Sequence, residues 1–227
     1  MNKTILISGG SDGLGKALAE KLVRNNKVII LANNAKKTEK VAKELGTDFV
    51  VADVSNYQDI RSAVEEIIKR HKTIDCLINN AGLWIEGALE NNDPEQIAKV
   101  MAVNATGSIL LTHAVLPHMK ENKKGRIINV ISQAGLGAKA ERSVYNASKW
   151  AMTGFTKSLA QELIPSNISV CGFYPGSMQT EFFEKAGSNK DLTKFMSLSE
   201  AVRALEFIVE TPDDLTIPEL GIKPAWY

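Results

Sequence analysis

Six short apolar runs alternate with helical patterns along most of the chain, and this alternation limits the folds open to it. Thr4–Ser8, Val28–Ala32, Asp48–Val51, Ile74–Ile78, Arg126–Ile131 and Ile168–Phe173 read as strands. Leu14–Arg24, Thr38–Leu45, Ile60–His71, a long stretch after Pro94, and Tyr145–Leu163 read as helices. The strands are apolar throughout rather than at every second residue, as required when helices cover both faces of a sheet. Strand and helix in turn at this spacing make βαβ units, hence a parallel, doubly wound sheet. Leu220–Ile222 is available as a last strand, and 175–198 reads as an irregular loop rich in Gly, Ser and aromatics.

The expected architecture is therefore one α/β domain over 1–227, a Rossmann-like doubly wound parallel sheet flanked by helices on both faces. For 227 residues about 70% of the unfolded surface is buried on folding, enough for one sizeable core without staples. Charge balance excludes other classes. With 27 Lys+Arg against 26 Asp+Glu there is no basic excess, and no nucleic-acid partner is expected. The longest apolar run, Val28–Ala32, falls far short of the roughly 20 residues of a bilayer span, so no membrane partner is expected. The chain enters a strand at once with no cleavage signal, which implies a cytoplasmic location. Cys76 and Cys171 sit in strand-like runs and read as buried free thiols of a reducing compartment. His113 and His118 are five apart and His71 ends a helix, so no metal site is expected.

The chemistry begins at the first strand-to-helix turn, Ser8-Gly9-Gly10-Ser11-Asp12-Gly13-Leu14-Gly15. Glycines let backbone N–H groups approach an anion at the helix N-terminus, which suits a pyrophosphate, although a glycine cluster is also an ordinary loop. Asp53 and Val54 follow the third strand, where a carboxylate can accept from an adenine amino group or simply precede a helix. Asn79-Asn80-Ala81-Gly82 ends the fourth strand, at the sheet edge where ligands gather. Asn104 lies in an apolar helical run, where an amide is costly unless hydrogen-bonded. Ser132 ends the fifth strand, and Tyr145 and Lys149 share one helix face at i and i+4. A phenol of pKa about 10 must come down by roughly 3–4 kcal/mol to trade protons near neutrality. One ammonium about 4 Å away at an effective dielectric near 20 supplies about 4 kcal/mol.

Taken together, in this order, these motifs resemble the short-chain dehydrogenase/reductase family over residues 3 to about 180. The resemblance implies a hydride transfer between a nicotinamide dinucleotide and a carbonyl or alcohol. Tyr145 would be the general acid/base, Ser132 would polarise the carbonyl oxygen, and Lys149 would lower the phenol pKa and hold the ribose. Asn104 would hold Lys149 through a water. Gly9, Gly13 and Gly15 would receive the pyrophosphate, with Ser11, Asp12 and Leu14 also contacting the cofactor, and Asp53 and Val54 the adenine. Asn80, Ala81 and Gly82 would line the cofactor channel; Pro175, Gly176 and Thr180 would hold the carboxamide side of the nicotinamide. Homodimers or homotetramers are also implied. Ser8 stands where the family usually has Thr, and Ile131 where a first Ser is usual.

The second strand ends Ala32-Asn33-Asn34 without a carboxylate to accept from a free ribose 2′-hydroxyl, which leans towards NADP(H), with NAD(H) the alternative. Asn33 takes the position where an Arg usually meets the phosphate; Lys36 and Lys37 follow it. Trp84, Leu136, Met178, Phe182, Phe183 and Phe195 are expected to rim a pocket for an apolar carbonyl compound. Arg142 and Lys139 read as exposed loop charges rather than a substrate clamp. An epimerase or dehydratase on the same scaffold, and a non-catalytic dinucleotide-binding regulator, are the alternatives; fold alone does not choose.

Overall fold

The computed structural model describes residues 2–188 and 190–225. Seven parallel strands form one sheet in the order β3-β2-β1-β4-β5-β6-β7. They are β1 Thr4–Ser8, β2 Lys27–Ala32, β3 Asp48–Val51, β4 Cys76–Asn79, β5 Gly125–Val130, β6 Ile168–Pro175 and β7 Glu219–Ile222. The helices are α1 Gly13–Leu22, α2 Ala35–Leu45, α3 Tyr57–His71, α4 Pro94–Met101, α5 Ser108–Glu121, α6 Ser143–Leu163 and α7 Leu198–Glu210.

The unbroken apolarity of β1 is explained by its two sides. Ile5 and Ile7 join a core with Leu18 of α1 and Leu205 and Ile208 of α7. Leu6 points the other way, into a core with Ile60 and Ile67 of α3, Leu111 of α5 and Leu159 of α6. Cys76 and Cys171 are free and buried on the Ile5–Ile7 side, and burial pushes both thiols up to about 12, so neither is a thiolate at neutral pH.

Helix starts follow polar caps that lie a turn ahead of the first apolar residue. Asn34 accepts from the Lys37 N–H and Asn56 from the Gln58 and Asp59 N–H groups, so α2 and α3 begin three residues before the expected Thr38 and Ile60. Helix α7 had no counterpart in the expected elements. Its signal is a capping box, Ser197 with Glu200, ahead of the buried row Ala201, Val202, Leu205, Ile208 and Val209. The long helix after Pro94 is continuous over residues 94–121, but Ala102–Gly107 winds as a π-helical segment between α4 and α5. Residues 94–121 are long and apolar enough to cross a bilayer, and about half of that stretch is packed inside the fold.

Candidate active site

The first crossover carries the chain from β1 to β2 on one side, and β4 returns on the other, so the C-terminal ends of β1 and β4 open a crevice. Ser8 closes its floor. Its hydroxyl oxygen accepts from the Asn80 and Ala81 N–H groups at 3.0 and 3.1 Å. The Asn80 amide donates to the Ser8 and Gly9 carbonyl oxygens at 3.0 and 3.3 Å, so it both lines the crevice and pins the turn. Gly9 has φ +65°, and a side chain there would meet the Ala81 Cα at 2.9 Å. Only glycine fits. Gly15 lies behind the turn, where a Cβ would run into the Gly9 carbonyl oxygen, so its role is close packing rather than lining.

A single cavity of about 530 Å³ runs from this turn to the far ends of β5 and β6. That is within the 300–1,000 Å³ typical of small-molecule and cofactor clefts. Gly9, Ser11, Asp12, Gly13 and Leu14 form one end, with Asn33, Asp53 and Val54 beside them. Asn80, Ala81 and Gly82 form the floor, and Pro175, Gly176 and Thr180 the opposite wall. Asp12 caps α1 by accepting from the Gly13 N–H at 2.8 Å. Hydrogen bonds from the Ser55 hydroxyl and N–H and from Asn33 hold the Asp53 carboxyl below the ordinary range, against the upward push of partial burial.

Ser132, Tyr145 and Lys149 meet at the other end. Ser132 has φ 150° and ψ 161°, a region essentially reserved for glycine that costs about 1–3 kcal/mol. Its hydroxyl oxygen accepts from the Ala134 N–H at 3.1 Å, which leaves the hydroxyl proton for a ligand. Tyr145 is buried in the first turn of α6 against Trp84, ring centroids 4.5 Å apart. One turn later the Lys149 Nζ lies 5.7 Å from the Tyr145 ring centroid and donates to the Val130 carbonyl at 3.3 Å. Burial brings the Lys149 ammonium down to about 8.

Asn104 sits in the π-helical segment, buried, and lies behind the cavity wall rather than in it. Its amide donates to the Leu83 carbonyl at 2.9 Å and the Ser148 hydroxyl at 3.1 Å, and accepts from the Leu83 N–H at 2.7 Å. Thus it makes no direct bond to Lys149, although both flank the same space. A Gly82 side chain would begin 3.5 Å from the Asn104 Oδ1 and 3.9 Å from the Lys149 Nζ.

Trp84, Met178 and Phe182 line the cavity as expected, with Phe183. Leu136 does not. It follows the turn Gln133–Gly135, whose Gly135 is packed onto Ile131 and Thr153, and this sends the next residue outward to 47% exposure. Phe195 packs on Phe183 at 5.5 Å instead of reaching the cavity. Arg142, expected as an exposed loop charge, is half-buried over the Trp84 ring at 5.1 Å and lines the cavity. Lys99 and Lys185 also line it and had no motif to announce them, because each arrives from an element far away in sequence. Among the described residues no cluster of ligating side chains suits a metal.

The family model described as short chain dehydrogenase matches residues 3–191. A 3-ketodihydrosphingosine reductase of Bacteroides thetaiotaomicron is 37% identical over 193 residues, covering 82% of this chain and 70% of the relative. A human 3-oxoacyl-[acyl-carrier-protein] reductase is 30% identical over 220 residues, 93% of each chain. The solved 3-ketoacyl-(acyl-carrier-protein) reductase of Brucella melitensis complexed with NADH superposes with a TM-score of 0.87 at 27% identity, covering 98% of this chain and 97% of that one. The chain belongs to the short-chain dehydrogenase/reductase family and is an oxidoreductase of that family.

Proposed function

We propose that the protein transfers hydride between a nicotinamide dinucleotide, NADP(H) in preference to NAD(H), and an apolar carbonyl or alcohol compound. The observation that carries this reading is the meeting of Ser132, Tyr145 and Lys149 in the cavity that begins at the glycine-rich turn. The residues suit the cofactor: a glycine held at φ +65° by a close backbone approach, and the N-terminus of α1 opening on the cavity. Gly9, Gly13 and Leu14 would take the pyrophosphate, Asp53 and Val54 the adenine, Lys149 the ribose, and Pro175, Gly176 and Thr180 the nicotinamide side. When bound, the cofactor supplies or accepts the hydride.

The chain's own residues handle the oxygen. The Tyr145 hydroxyl gives its proton to the carbonyl oxygen in reduction and takes it back in oxidation. The Ser132 hydroxyl donates to the same oxygen and stabilises the charge that grows on it. The Lys149 cation beside the ring favours the phenolate that Tyr145 becomes. Asn104 fixes the Leu83 backbone against α6 and flanks the space beside Lys149. Trp84, Phe182 and Phe183 make the substrate wall apolar and keep water from the reacting centre. The preference for NADP(H) is supported by the end of β2, where Asn33, Asn34 and Lys37 line the cavity with no carboxylate from that strand.

Replacing Tyr145 with Phe tests the reading. Reduction of an aldehyde and ketone panel, followed at the reduced-nicotinamide absorbance, should fall by at least about 10²-fold while dinucleotide affinity by fluorescence titration stays within twofold. Equal loss of both would make Tyr145 structural. We further propose that copies of the chain associate as homodimers or homotetramers through α5 and α6, supported by Trp150 on α6, which is 52% exposed.

A further inference from the structure

The glycine-rich turn carries one carboxylate, Asp12, and it is already occupied. Its Oδ2 accepts from the Lys37 Nζ at 2.6 Å and from the Lys185 Nζ as well. Lys37 lies in the first turn of α2, after the Asn33-Asn34 end of β2; Lys185 lies in the short turn Glu184–Ala186 between β6 and α7. All three line the cavity, and their side chains are 41% to 49% exposed. Lys185 also pairs with Glu181 at 3.0 Å. Two cations from opposite walls are therefore drawn across the cavity mouth onto one carboxylate.

Exposed ion pairs of this kind add little to stability, so the cluster is poorly explained as a fold staple. Its position is better explained by what else suits the place. A carboxylate that accepts from the Gly13 N–H and from two lysines uses the donors that a phosphate would use at the N-terminus of α1. We propose that Asp12 is an internal competitor for the phosphate groups of the dinucleotide: in the free protein it holds Lys37 and Lys185, and a bound dinucleotide takes both lysines from it. This rests on the cofactor reading above. Asp12 then lowers the affinity for either dinucleotide, and more so for the one with a 2′-phosphate, because Lys37 stands where β2 ends. Lys185 is a phosphate-binding residue supplied by the segment that roofs the cavity.

Asp12→Asn removes the charge and keeps a good helix cap, and Asp12→Ser is a second neutral cap. Fluorescence titration of the whole protein with NADPH and NADH should show both variants binding NADPH about three- to tenfold more tightly, and NADH by a smaller factor. Lys185→Met should weaken both dinucleotides, make binding less sensitive to salt, and keep its effect in the Asp12→Asn background. Unchanged or weaker binding by the Asp12 variants would overturn the proposal. So would a Lys185→Met effect that vanishes once Asp12 is neutral, since Lys185 would then be only a tether to Asp12. Failure of the unaltered protein to bind either dinucleotide would instead overturn the cofactor reading on which the proposal rests.

Discussion

Lys149 shows how a residue suited to chemistry can work against the fold that holds it. Its ammonium is buried with a carbonyl for a partner and, among the described residues, no carboxylate, and burial brings its pKa from 10.5 to about 8. Between those values the unfolded chain binds the proton and the folded one does not, so stability rises with pH from about 8 to 10.5. Below about 8 the full penalty applies, about 3 kcal/mol. Lys149→Met should therefore stabilise the protein by about 1–3 kcal/mol at pH 7 in urea unfolding, and the gain should shrink towards pH 10. Turnover should be lost in the same variant. A variant less stable than the unaltered protein at pH 7 would show that the ammonium supports the fold. Ser132 has the same character on a smaller scale, a strained backbone kept two residues beyond the end of β5.

At the scale of elements, α7 is secured by a cation from the sheet. Arg126 of β5 is buried and, among the described residues, has no carboxylate partner; its guanidinium donates to the carbonyl oxygens of Ile208, Thr211, Pro212 and Leu215 and to the Ser169 hydroxyl. These carbonyls include the unsatisfied end of a helix, where the dipole favours a positive charge. Arg126→Met leaves several buried acceptors unpaired, at about 1–3 kcal/mol each. Thermal unfolding should fall by about 6–12 °C, corresponding to a loss of about 3 kcal/mol. Because α7 packs on α1, which opens at the glycine-rich turn, dinucleotide affinity should weaken as well. A melting point unchanged by the substitution would contradict this account. The π-helical segment is a second element-scale device: Gly107 passes so close to Val54 that a Cβ would lie 2.6 Å from its carbonyl oxygen, and this contact seats the turn that carries Asn104.

At the scale of the whole molecule, the outer face of α6 is the place where association is expected to show. Trp150 follows Lys149 in sequence, about 100° further round the helix, and is 52% exposed where Lys149 is buried. If copies pair there, Trp150→Glu buries a charge in the interface and should convert the assembly to monomers in sedimentation velocity. Turnover per chain should fall less than tenfold, because Trp150 does not line the cavity. An unaltered sedimentation coefficient would place the contact elsewhere.

What the sequence determined alone follows from short-range physics. Continuous apolarity in β1, β2 and β6 dictated a sheet covered on both faces, and glycines fixed the turn at Ser8–Gly15 because no other residue tolerates its backbone. The i, i+4 spacing places Tyr145 and Lys149 on one helical face independently of any tertiary contact. Tertiary structure decided whatever depends on where distant segments end. Leu136 was turned out of the cavity by a close-packed Gly135, and Arg142 was drawn in over Trp84. Asn104 was engaged by Leu83 and Ser148, while Lys185 came to Asp12 across 173 residues of chain. Those outcomes are set by packing between elements far apart in the chain, and no local pattern encodes the distance between two loops that meet only after the sheet has formed.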